Sequence, residues 1–118
     1  MIAFVLVALV AAIHVWILVM EVGLWETPRV RAIFGTSAEF ARASRMLAAN
    51  QGLYNGFLAA GLIFALVLGL GGAGYAVALF FLACILVAGG FGGVMVSSRI
   101  LWVQAGPAAV AMMAVVWH

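Results

Sequence analysis

Charge is what this chain has least of. Lysine and aspartate are absent, and charged residues make up 7% of the 118. A soluble domain carries about 25% charged and about 45–50% apolar residues. With 69% hydrophobic residues and a mean hydropathy of +1.36, this chain cannot cover itself with a wettable surface, so a soluble fold is excluded. The net charge of +2 is confined to one short segment plus Arg99. That excludes the broad basic face on which nucleic-acid binding rests. Cysteine is scarce too: Cys84 stands alone among Leu82, Ala83, Ile85 and Leu86. An intramolecular disulfide is ruled out, and a buried structural thiol is expected. No pair of His or Cys has metal-ligand spacing on one helix, so no metal site is expected. Nothing in the pattern calls for a cofactor. Basic residues are also missing from Met1-Ile2-Ala3-Phe4, and the apolar run that follows exceeds a leader's usual length. A retained helix is expected rather than a cleaved signal.

What the chain has is apolar length. Runs of roughly 20 apolar residues are the unit of membrane spanning, and four fit: about Ile2–Leu24, Met46–Leu70, Tyr75–Val96 and Ile100–Trp117. The expectation is an all-α fold, a four-transmembrane-helix bundle forming one integral membrane domain over residues 1–118. A short cytoplasmic interfacial segment precedes helix two, and the helices cover about 2–24, 37–70, 75–96 and 100–117.

The arrangement of that segment is readable. Thr27-Pro28 has the form of an N-cap followed by proline at the first helical position, and Gly35 is a natural stop. Thr36-Ser37-Ala38-Glu39 has the capping-box pattern. No breaker follows before Gly52, so helix two is expected to run uninterrupted from the headgroup region into the membrane. Phe34 and Phe40 would dip into the interface. Arg29, Arg31, Arg42 and Arg45 lie between helices one and two, and Arg99 between three and four. Four spans put both connections on one side. The positive-inside rule makes that side cytoplasmic, with both termini outside a cell (inner) membrane.

Polar residues within the spans are few, and they share a depth. His14, Leu18, Glu21 and Trp25 fall on one narrow stripe at about 100° per residue. With Trp25, Met46 and Arg99 as the membrane edge, Glu21 and Asn50 lie about 6 Å inside and Gln104 about 7–8 Å. Tyr54 lies about 12 Å in and His14 about 16 Å. The reading is a cytoplasm-facing polar pocket around Glu21, lined by Trp25, Asn50, Gln51, Tyr54, Asn55 and Gln104, with His14 at its floor. On helix two the carboxamides and Tyr54 span an arc of about 140°, with Gly52, Gly56 and Ala60 stacked opposite. Gly52-x-x-x-Gly56 and Gly89-x-x-x-Gly93 are small-residue motifs that let helices approach closely, within the chain or between copies as a homo-oligomer.

Each residue also has a plainer reading. The carboxamides would serve as interhelical cross-links at about 0.6 kcal/mol each. Glu21 would be solvated or paired with Arg45 or Arg99, His14 packed, Tyr54 a core amphiphile, and Pro107 a kink that frees a carbonyl.

Glu21-(x)3-Trp25, Phe34-Gly35, Ala48-Ala49-Asn50-Gln51-Gly52-Leu53-Tyr54-Asn55-Gly56 and Gln104-Ala105-Gly106-Pro107-Ala108 resemble the small membrane-protein family catalogued as domain-of-unknown-function family 1304. The resemblance covers essentially the whole chain. It implies a short multi-span membrane protein, and it carries no particular activity with it.

Three functions compete at this level. The first is binding or transport of a small, partly apolar solute, with Glu21 as the group that senses a proton or cation. The second is an intramembrane enzyme acting on a lipophilic substrate such as an isoprenoid, quinone or epoxide. There Glu21 or His14 would be acid or base, while Tyr54 and Asn50 orient an oxygen. The third is an accessory protein whose polar cluster only fixes helix packing.

Overall fold

The computed structural model describes all 118 residues. They form α1 (Ile2–Gly23), α2 (Pro28–Phe34), α3 (Ala38–Ala43), α4 (Arg45–Leu68), α5 (Gly74–Met95) and α6 (Ser98–Ile100), then a π-helical turn (Leu101–Ala105) and α7 (Gly106–Trp117), with no strand. Four helical stretches are long and apolar enough to cross a membrane: Ile2–Gly23, Arg45–Leu68, Gly74–Met95 and Ser98–Trp117. A helix satisfies every backbone donor and acceptor within itself, which is why apolar runs of this length adopt it.

The chain divides into two compact units, His14–Phe57 on one hand, and Met1–Ile13 with Leu58–His118 on the other. The first holds the charged segment. Thr27 caps α2, its hydroxyl accepting from the Val30 amide, and Pro28 occupies the first turn. Gly35 ends the helix at φ 68°, a left-handed conformation that glycine takes without steric cost. The next cap is Ser37 rather than Thr36: the Ser37 hydroxyl accepts from Phe40 N, and Glu39 falls in the first turn of α3.

Helix two is not the uninterrupted helix that its sequence predicts. It breaks at Ser44, where φ is −96° and ψ 3°, separating α3 from α4. The Ser44 hydroxyl donates back to the Phe40 carbonyl at 2.7 Å and accepts the Trp25 indole N–H at 3.1 Å. Serine bonding to the preceding turn is a known bender of helices. Here a tryptophan 19 residues away holds it there. Ser44→Ala removes both bonds, and two neutral hydrogen bonds are worth about 1–2 kcal/mol in all. A thermal melt in detergent should show a loss of that order, accompanied by a shift in tryptophan emission.

The second unit has a dry core of Val7, Val10, Leu62, Ala65, Ala78, Leu82, Ile85, Ala108, Ala111 and Val115. Its residues come from both ends of the chain and from α4 and α5. Small residues dominate α7 at these positions, so helices approach closely without large side chains between them. Pro107 stands two residues past the π turn, after Gly106. Its ring cannot donate to the carbonyl four residues back, and the wider turn accommodates it: Gly106 N–H reaches the Leu101 carbonyl, one residue further than in an α-helix. The wide turn packs on glycine. A Cβ at Gly89 would lie 2.7 Å from Ala105 N, and one at Gly93 2.7 Å from Leu101 Cβ.

Candidate functional site

Two polar residues of the spans in the first unit, Glu21 and Asn55, meet directly. Glu21, in the last turns of α1, is 2% exposed, and Asn55 of α4 is 6% exposed. Asn55 Nδ2 donates to Glu21 Oε1 at 2.7 Å and also to the Gln51 carbonyl at 3.2 Å. Both amide protons of Asn55 are thereby used. On the carboxyl, this is the one hydrogen bond the protein supplies, and Oε2 receives none.

Glycine makes the contact short enough. A Cβ built on Gly52 would lie 2.9 Å from Glu21 Cβ and 2.9 Å from Val22 Cγ2. One turn on, a Cβ at Gly56 would meet Leu18 Cδ2 at 3.2 Å. Any larger residue at position 52 would push α4 away from Glu21 and lengthen the Asn55 bond. The glycine face and Asn55 therefore belong to the same side of α4, facing α1. Helical geometry explains this, since Asn55 stands about 60° from Gly52 and about 40° from Gln51. It is the outermost member of the carboxamide arc.

The other residues of that arc lie elsewhere. Asn50 and Gln51 are exposed, and Tyr54 is 59% exposed, its ring edge-on to Phe57 at 5.8 Å. Gln104 lies in the second compact unit, on the π turn, where its Cβ lies against Gly89. His14 is 1% exposed. It sits seven residues before Glu21, about 10 Å along the axis. Trp25 is half-buried and held from two sides, by Ser44 Oγ at 3.1 Å and by Phe34 edge-on at 4.9 Å.

Beginning at Val22, the next residue in the chain after Glu21, a cleft of about 270 Å³ is lined by Val22, Gly23, Trp25, Glu26, Thr27 and Arg45, and Glu21 itself is not part of the lining. Arg45 pairs with Glu26 at 3.8 Å rather than with Glu21. Both partners are largely exposed, so the pair is worth at most about 1 kcal/mol. It forms an exposed rim to the cleft. No group of three or more His, Cys, Asp or Glu side chains is placed to hold a metal ion.

The family described as "Protein of unknown function (DUF1304)" matches residues 8–116. The chain belongs to that family. Glu21, Asn55, Ser44, Gln104 and the cleft residues of this DUF1304 protein all fall inside the matched span. No curated protein and no solved structure matches the chain.

Two parts of the site escaped the sequence. Ser44 gave no signal, because serine is tolerated in helices and its partner is far away in the chain. Thr27 read only as an N-cap and Glu26 gave no signal, yet they form the cleft wall with Trp25.

Proposed function

We propose that this DUF1304 protein binds, and carries across or within the membrane, a small and partly apolar solute. The solute would enter by the cleft at Trp25, Thr27 and Arg45 and be recognised by the Glu21 carboxyl. The observation that carries the reading is a carboxyl 2% exposed inside a spanning helix, with a single hydrogen bond from Asn55 to one of its oxygens. An ionisable group at such a position is costly and marks ligand or ion pathways. Asn55 fixes the carboxyl through Oε1, and Oε2 is left for a donor on the solute. The rim is polar, while Val22 and the indole of Trp25 offer apolar contact.

The size of the cleft bounds the solute. The cleft, of about 270 Å³, admits a small molecule. A primary amine on an aromatic ring, such as phenethylamine, is small and carries both a donor and an apolar body. In this reading the arginine-rich segment faces the cytoplasm of an inner membrane and both termini lie outside, so the cleft is a cytoplasmic mouth.

The enzyme reading gains less support, since acid–base chemistry needs groups that converge on one atom. Glu21 and His14 are about two turns apart on α1. A purely structural reading is favoured by one observation: the Asn55–Glu21 bond beside Gly52 is also what a helix clamp requires.

Equilibrium dialysis of labelled phenethylamine against the purified protein separates these readings. Saturable binding that falls at least tenfold in Glu21→Gln, and by less than twofold in Glu39→Gln, exposed on α3 and outside the cleft, is the expected result. Absence of saturable binding, or equal binding by wild type and Glu21→Gln, would leave only the clamp.

A further inference from the structure

The face of α4 turned away from Glu21 poses a separate problem. Leu47, Asn50, Gln51, Tyr54 and Phe57 lie within one half of the helix circumference, and all five are exposed, Leu47 at 75%. From Arg45, the first residue of the span, Gln51 lies about 9 Å and Tyr54 about 13 Å along the axis. Two carboxamides and a phenol thus stand on the outside of a helix whose neighbours are Leu, Phe and Met. In hydrocarbon no water is available to satisfy them, and each unsatisfied group costs several kcal/mol by transfer.

We propose that this face is covered by a second copy of the chain, α4 against α4, related by a two-fold axis. The chemistry of the face selects that occupant. A carboxamide is at once donor and acceptor, so a patch built of Asn50, Gln51 and the Tyr54 hydroxyl is complementary to itself. A two-fold interface demands that self-complementarity. The face carries no charge, which leaves nothing to single out a charged partner segment. Tyr54 and Phe57 supply the aromatic area that interface cores favour.

The small-residue faces, where a homo-oligomer would otherwise be sought, are occupied within the chain. Gly52 and Gly56 receive Glu21, Val22 and Leu18, and Gly89 and Gly93 receive Ala105 and Leu101. Pairing through the carboxamide face leaves the Glu21 side of each α4 untouched. The proposal stands independently of the solute reading.

The test is disulfide trapping in native membranes, in a Cys84→Ala background so that the introduced thiol is the only one. Leu47→Cys places a thiol at the margin of the face and keeps all three polar side chains. Val19→Cys, exposed on α1, reports random collision. Under copper–phenanthroline oxidation, Leu47→Cys should give at least tenfold more cross-linked dimer than Val19→Cys. Adding Asn50→Leu, Gln51→Leu and Tyr54→Phe should reduce that yield at least fivefold, since the loss of self-complementary bonds leaves only apolar contact. Equal yields from Leu47→Cys and Val19→Cys, or a Leu47→Cys yield unmoved by the triple change, would overturn the proposal. Both thiol sites are exposed in the single chain, so neither substitution threatens the fold.

Discussion

Replacing Asn55 with leucine is expected to destabilise the protein by about 3 kcal/mol, although the two side chains are nearly equal in size. The cause lies in what is left behind. Leucine removes the only donor to a carboxyl that is 2% exposed, and stranding a buried polar group costs about 1–3 kcal/mol, more if it is charged. Removing both partners should cost far less, because two apolar side chains of similar shape leave nothing unsatisfied. The double variant Glu21→Leu/Asn55→Leu is therefore expected to recover most of the loss. Thermal or denaturant unfolding in detergent completes the cycle. An Asn55→Leu variant within about 0.5 kcal/mol of wild type would mean that the 2.7 Å bond does not hold the carboxyl.

Gly74→Ala carries the largest effect expected in the second compact unit. Gly74 opens α5 after the turn Gly69–Ala73, and its amide donates to the Gly69 carbonyl at 3.1 Å. An added Cβ would lie 2.0 Å from the Ala65 carbonyl oxygen and 2.7 Å from that of Gly69. Both are backbone atoms, one in the last turn of α4 and the other just past its end, so no side chain can yield. The turn must open or α5 must shift, at about 3 kcal/mol or more. Gly71→Ala, three residues earlier, is the control: a Cβ there meets nothing within 4 Å. It should lie within about 0.5 kcal/mol of wild type. If the two variants melt together, the tight α4–α5 turn is wrong.

The spans were legible because hydrocarbon imposes a length and a composition that few other constraints mimic. The caps at Thr27 and Gly35 were legible because each is decided by residues in direct succession. Where the sequence misled, the deciding contact was distant. The break at Ser44 depends on the Trp25 indole, and nothing in Phe40-Ala41-Arg42-Ala43-Ser44-Arg45 announces it. A helical wheel groups Asn50, Gln51, Tyr54 and Asn55 correctly, but it cannot say which edge of that arc meets a neighbour. Only Asn55 turns inward, beside Gly52. At Gln104 a π turn shifts the phase of every residue within it. Pro107, three residues on, was the available hint, and it was read as a kink rather than as a widened turn. Glu21 is buried, as an ionisable group in a span is expected to be. Its partner came from the margin of the expected pocket wall.

These residues converge on one question, whether a solute touches Glu21. An infrared difference spectrum, phenethylamine-bound minus free, addresses it at the level of the carboxyl itself. Binding should change a carboxyl band in wild type, and that change should vanish in Glu21→Gln and persist in Glu39→Gln. A difference spectrum that is the same in wild type and Glu21→Gln would contradict it, and would place any bound solute elsewhere.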